Sequence, residues 1–175
     1  YNPVNTTVNI GAGSTSTTVS VGVNGDNVYE PNESFRLVIT GAIGANAGLG
    51  ASGTITNDDP IPTVNINTST TSQSEGNAGA SVQWGFQITL SNPSFENITV
   101  NWGTQDGSAT GGPDYGPASG SVTFTPGQTT QTVIVNSNGD DDIEGDETFS
   151  VNISVASGSA TVGSGSVTVT ILDDD

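Results

Sequence analysis

The chain has 175 residues, with 18 Asp plus Glu against one basic side chain, Arg36, and a formal net charge of −17. It has no Cys and no His, which excludes a disulfide framework, a thiolate nucleophile, a Ser-His-Asp triad and imidazole-ligated zinc. With Arg36 alone to neutralise phosphates, a nucleic-acid partner is excluded as well.

The hydrophobic share is 31%. Low hydrophobicity with high net charge can signal disorder. Here, however, the apolar residues alternate strictly with polar ones and are rich in Val and Thr, which is the pattern of half-buried strands. No apolar run approaches the roughly 18 residues of a membrane helix. No leader peptide is visible, and the start at Tyr1 without Met reads as a processed, trimmed or incomplete terminus. The Asn-x-Ser/Thr sequons at Asn5, Asn32, Asn67, Asn97 and Asn152 are read mostly as chance matches in so Asn-, Ser- and Thr-rich a chain.

Residues 1–59 are legible through self-comparison. Shifted by 114 residues, Tyr1 falls on Tyr115, Val8 on Val122, Gly13 on Gly127 and Thr18-Val19 on Thr132-Val133. Val21 falls on Val135, Asn24-Gly25-Asp26 on Asn138-Gly139-Asp140, Glu30 on Glu144, Glu33 on Glu147, Phe35 on Phe149 and Ile39 on Ile153. A further two-residue shift brings Thr54-Ile55 onto Thr170-Ile171 and Asp58-Asp59 onto Asp174-Asp175. The expected organisation is the C-terminal half of one module over 1–59, then a complete module over 60–175. Pro60-Ile61-Pro62 reads as a short stiff linker.

Within 60–175 no helical period exists. Strands are expected near 63–67, 82–90, 97–103, 121–125, 131–137, 147–155 and 166–172. Each alternates, as in Val82, Trp84, Phe86, Ile88 and Leu90, or Phe149, Val151, Ile153 and Val155. Seven short strands separated by Gly, Asp, Asn and Pro predict an all-β fold of immunoglobulin-like antiparallel β-sandwich modules in tandem. Trp84, Phe86, Trp102, Phe124 and Phe149 are read as core or flank packing rather than a binding platform.

Several segments of the complete module resemble the Calx-beta family. They are Ser74-Glu75-Gly76, Asp106-Gly107-Ser108-Ala109-Thr110 leading to Asp114-Tyr115, and Val122 to Gly127. Gly139 to Phe149 and the terminal Ile171-Leu172-Asp173-Asp174-Asp175 complete the match. The resemblance implies the Ca²⁺-binding β-sandwich found in sodium–calcium exchangers, integrin β4 and bacterial surface proteins. It maps metal ligands onto Glu75, Asp114, Asp140, Glu144, Glu147, Asp173, Asp174 and Asp175. Asp141 and Asp142 share the same loop and are candidates for a side-chain or carbonyl ligand. In the half-module the matching residues are Asp26, Glu30, Glu33, Asp58 and Asp59, while Asn57 stands where Asp173 stands. The counterparts of Asp114 and Glu75 are missing from the half-module, so its site looks incomplete.

The charge distribution agrees with this. Sixteen of the 18 acids fall in 26–33, 58–59, Glu75, Asp114, 140–147 and 173–175, leaving only Glu96 and Asp106 elsewhere. Carboxylates packed so closely repel unless a cation screens them. Ca²⁺ suits them, because it accepts about 6–8 oxygens in irregular geometry, whereas Mg²⁺ demands a tight octahedron. The opposing reading is a solvated acidic pole without metal. Asp140-x-Asp142-x-Glu144-Gly145 imitates an EF-hand start, but Val151 stands at the twelfth position and the flanks are strands. Gly48-x-Gly50-x-x-Gly53 matches a dinucleotide fingerprint in letters alone, with no helix after it. Paired carboxylates can hydrolyse glycosides, but these lack neighbours that would bind sugar, so no enzyme is expected.

The leading expectation is a Ca²⁺-stiffened structural repeat of an extracellular or cell-surface protein, such as an adhesin stalk, sheath, S-layer or filament. Its partners would be neighbouring repeats of the same or a like chain, without nucleic acid or membrane insertion. The alternatives are a Ca²⁺-sensing regulatory module and a carbohydrate- or partner-binding module. The half-module requires strands from a longer array or from a different chain to cover its edges.

Overall fold

The computed structural model describes residues 1–175 and contains strands and no helix. The chain divides into two units. The first comprises Tyr1–Asn27 and Pro31–Asn57, and the second comprises Val28–Glu30 and Asp58–Asp175.

The first unit holds two strands, β1 (Glu33–Leu37) and β2 (Ala51–Ile55), paired antiparallel with Glu33 opposite Ile55 and Leu37 opposite Ala51. The second unit holds nine: β3 (Thr63–Asn67), β4 (Ser72–Ser74), β5 (Ser81–Leu90), β6 (Ile98–Asp106), β7 (Ser119–Phe124), β8 (Thr130–Asn138), β9 (Glu147–Ser157), β10 (Thr161–Val162) and β11 (Ser166–Leu172). They form a four-stranded sheet in the order β10-β3-β5-β8 and a five-stranded sheet in the order β4-β11-β9-β6-β7. All seven expected strands are present within a few residues of their expected bounds.

The two strands not expected are β4 and β10, of three and two residues. Neither is long enough to show an alternation. Each pairs parallel with a strand far away in sequence, β4 with β11 and β10 with β3. After β3 the chain leaves the four-stranded sheet and joins the five-stranded one as β4. That crossing delivers Glu75 to the end of β11.

The inward positions of both sheets meet in one core. Val64, Ile66, Trp84, Phe86, Ile88, Val133 and Val135 come from one sheet, and Ile98, Val100, Phe124, Phe149, Val151, Val169 and Ile171 from the other. Phe149 is the centre of the aromatic packing. Trp84 meets it edge-on at 5.8 Å, Phe86 at 6.4 Å, and Tyr115 stacks on it at 4.5 Å with 12° between the planes. Trp102 is half-buried and packs against this core. The indole Nε1 of Trp84 donates to buried Ser137 Oγ at 3.0 Å. Ser137→Ala would strand that N–H away from water, at a cost of about 1–3 kcal/mol. The check is a lower denaturant midpoint with an unchanged slope.

The two units share local structure where the sequence repeats. Carried across the repeat, the β1–β2 register matches that of β9–β11, where Glu147 lies opposite Ile171 and Val151 opposite Val167. Tyr1 stacks on Phe35 at 5.1 Å, as Tyr115 stacks on Phe149. Asn2 N donates to Gly22 O, as Gly116 N donates to Asn136 O, both bonds falling at equivalent positions. Gly13 and Gly127 carry the same turn, at φ 84° and 85°.

The residues that match β7 and β8 form no strands in the first unit. The reason lies in the pairing. β8 pairs with β5 and β7 with β6, and residues 1–59 contain no copy of β5 or β6. β9 and β11 pair with each other as well as with β6 and β4, so their counterparts keep one partner, and they form.

Candidate metal centre

One end of the second unit gathers carboxylates from four segments. Parallel pairing sets Ser74 opposite Leu172, and Glu75 N donates to Leu172 O at 3.1 Å. Glu75 therefore emerges beside the acidic tail that follows β11. Glu147 opens β9 opposite Ile171, next to the same tail. Asp114 sits in the β6–β7 connection, where its carbonyl accepts from Asn138 N at 2.9 Å. Asn138 Nδ2 also donates to Gly112 O at 2.9 Å and Pro113 O at 2.8 Å. Asn138 thereby fastens the Asp114 loop to the β8–β9 loop that carries Asp140 to Glu144.

Two groups of carboxylates converge. Glu75, Asp173 and Asp175 form one, and Asp114, Glu144 and Glu147 the other; within each group the ligand oxygens lie within 4.8 Å of one another. Oxygens that each sit about 2.4 Å from one Ca²⁺ are at most about 4.8 Å apart. Glu144 N donates to Asp173 Oδ2 at 3.3 Å and ties the groups together.

Three of the remaining acids of this end have other partners. Asp174 Oδ1 accepts from Gly76 N at 3.0 Å, and Asp141 Oδ1 from Ala78 N at 2.9 Å. Asp140 Oδ1 accepts from Asp142 N at 2.8 Å, which shapes the loop internally. Asp141 and Asp174 thus hold the loop that follows Glu75. Gly139 crosses that loop so closely that a Cβ would lie 1.8 Å from Gly76 O, so only glycine fits. In the half-module, Asp26 and Glu33 belong to the first unit, and Glu30, Asp58 and Asp59 to the second. These five do not join either convergent group.

Two of the six converging carboxylates are buried, Glu75 at 4% exposure and Asp114 at 8%. Burial pushes Glu75 up to about 6, with further increments from Asp140, Glu144, Asp173 and Asp175. Glu147 is pushed up to about 7, first by burial, then by its hydrogen bond to Asp114 and by the charges of Asp114, Glu144 and Glu75. Burial and the neighbouring carboxylates also raise Glu144 and Asp175. Arg36, the only Lys or Arg in the chain, belongs to the first unit. The charge at this end is therefore not balanced by side chains of its own unit. The donor set, all hard oxygen and partly desolvated, suits a divalent cation of the Ca²⁺ class.

Sequence reasoning does not single out Asn138 or Tyr115 as supports of the site. The signal is present, since the repeat preserves them as Asn24 and Tyr1.

A family model described as the Calx-beta domain matches residues 1–59 and 57–175. No curated protein matches the chain. Among solved structures the chain is similar to the apo form of the Calx CBD1 domain, with 23% identity, a TM-score of 0.54, and coverage of 65% of this chain and 99% of that one. It is similar to CBD12 from CALX1.2, with 25% identity, a TM-score of 0.57, and coverage of 65% and 46%. It also resembles the calcium binding domain CBD12 of CALX1.1, with 26% identity, a TM-score of 0.56, and coverage of 64% and 46%. The chain thus spans less than half the length of either CBD12 chain.

Proposed function

The chain belongs to the Calx-beta domain family, and on that premise we propose that it is a Ca²⁺-binding structural repeat of an extracellular or cell-surface protein. The observation that carries the Ca²⁺ reading is the convergence of Asp114, Glu144 and Glu147, whose ligand oxygens lie within 4.8 Å of one another. Three carboxylates brought so close, without a basic side chain in their unit, need either protons or a cation between them. Glu75, Asp114, Glu144, Glu147, Asp173 and Asp175 are the side chains that would hold Ca²⁺. Asp140, Asp142 and the loop carbonyls are further candidates, and Asp141 and Asp174 would hold the loop.

The structural role is supported by the tandem repeat and by Pro60-Ile61-Pro62 beside Asp58 and Asp59. Ca²⁺ held by the repeats would stiffen the chain, and neighbouring repeats would be its partners, with assembly into a filament or surface layer. Millimolar external Ca²⁺ would fill even sites of about 10⁻⁴–10⁻³ M. The carbohydrate-binding alternative calls for aromatic rings on a sheet face, whereas Trp84, Phe86, Phe124 and Phe149 are turned into the core. Calorimetric titration of the full chain with Ca²⁺ tests the reading, with saturable binding near 10⁻⁴–10⁻³ M expected. Absence of saturable binding defeats it. Micromolar affinity with a large change of shape would favour a regulatory sensor instead.

A further inference from the structure

Asp106, the last residue of β6, lies outside both convergent groups. Its Oδ1 accepts from the Tyr115 hydroxyl and, at 3.0 Å, from Gly111 N. Both bonds fall on the connection that carries Asp114, one on each side of it. The Tyr115 ring is 1% exposed and stacked on Phe149, so the hydroxyl bond and the stack together fix the ring against the core. Tyr115 also closes the loop through its backbone, with Gly112 N donating to Tyr115 O at 2.8 Å. Asp114 is the residue immediately before it. The carboxylate of Asp114 is aimed by Thr110 N, which donates to Oδ2 at 2.6 Å. Thr110 in turn precedes Gly111, the second donor to Asp106.

We propose that Asp106 is a positioning residue for the Asp114–Glu144–Glu147 metal group, acting through Tyr115 and Gly111 to hold Asp114 in place. This role rests on the Ca²⁺ reading of that group. Outer residues that orient metal ligands typically change affinity by about 10–100-fold when removed. Asp106 works here as a hydrogen-bond acceptor, not as a charge. An Asn side chain presents the same Oδ1 to both donors and turns its NH₂ to solvent, since Asp106 is exposed. A role through charge, or as a direct ligand, would not survive that change.

The test compares Asp106→Ala, Asp106→Asn and Tyr115→Phe in the full chain by Ca²⁺ titration. Asp106→Ala and Tyr115→Phe are expected to weaken Ca²⁺ binding by about 10-fold or more, with Asp106→Asn close to the parent protein. Amide hydrogen exchange in chelator supplies a metal-free readout. The Thr110 amide should lose protection in Asp106→Ala and Tyr115→Phe and keep it in Asp106→Asn. Tyr115→Phe retains the ring stack, so its comparison does not depend on a disturbed core. Parent-like affinity in Asp106→Ala, or equal losses in the Asn and Ala variants, overturns the proposal. A parent chain that binds no Ca²⁺ overturns the metal reading and this role with it.

Discussion

Removing Ca²⁺ at neutral pH is expected to lower the melting temperature of the second unit by about 20 °C, relative to Ca²⁺ held at a hundredfold its dissociation constant. A ligand that binds only the folded state stabilises by about 2.7 kcal/mol when present at a hundredfold its dissociation constant. Two convergent groups, each filled once, would add about 5 kcal/mol. For a domain of roughly 100 residues, one kcal/mol shifts the midpoint by about 4 °C or more. Coupling to folding is strong because each group draws on segments far apart in sequence: Glu75 with 173–175, and Asp114 with 144–147. Unfolding disperses both groups at once, and no preformed site survives in the unfolded chain. Thermal melts in Ca²⁺ and in chelator measure the difference, and an unchanged midpoint would remove the Ca²⁺ reading. Glu147→Gln refines the result. It relieves the repulsion against Asp114 and Glu144, so the chelated protein should melt higher than the parent. The same substitution withdraws a ligand, so the Ca²⁺-induced shift should shrink by about half.

The strands are readable in the sequence because one face of each is buried and period-two alternation follows directly. Trp84, Phe86 and Ile88 and their counterparts Phe149 and Val151 announce the sandwich without any packing being known. β4 is not readable, since Ser72-Gln73-Ser74 has no apolar member and owes its strand conformation to pairing with β11. The same non-local dependence explains why the repeat of β8 is not a strand in the first unit, although Val19 and Val21 copy Val133 and Val135.

The site divides in a similar way. The carboxylates are concentrated enough along the chain to mark the acidic end of the sandwich. Their sorting into two convergent groups is not visible in sequence, because it depends on which carboxylates the loop after Glu75 takes for its own N–H groups. Gly76 and Ala78 engage Asp174 and Asp141, two residues that by composition alone look identical to their neighbours. Asp106 stands apart from the acidic runs along the chain. Only the folded position of Tyr115 shows that it reaches the Asp114 loop.

Protons and Ca²⁺ should drive stability in opposite directions with pH. Glu75 and Glu147 are raised to about 6 and about 7 in the folded protein, above the ordinary carboxylate value of 4.5 that applies to the unfolded chain. Between about pH 4.5 and pH 7 the folded state therefore binds more protons than the unfolded state. Stability falls with rising pH wherever that holds. The stabilisation from these two groups is present below pH 4.5 and is lost as pH rises through 6 and then 7. For Glu75 alone the shift corresponds to about 2 kcal/mol, and Glu147 adds in the same direction. The chelated protein is thus expected to melt several degrees lower at about pH 8 than at about pH 5. In saturating Ca²⁺ the trend should reverse, because the ion binds the deprotonated carboxylates and protons compete with it. Melting curves at both pH values, with chelator and with Ca²⁺, read the crossing directly. A chelated midpoint that stays level or rises with pH would show that burial and crowding do not hold protons on Glu75 and Glu147 as described. In Glu75→Gln and Glu147→Gln, each variant should flatten the chelated trend by removing the proton that the folded protein alone retains.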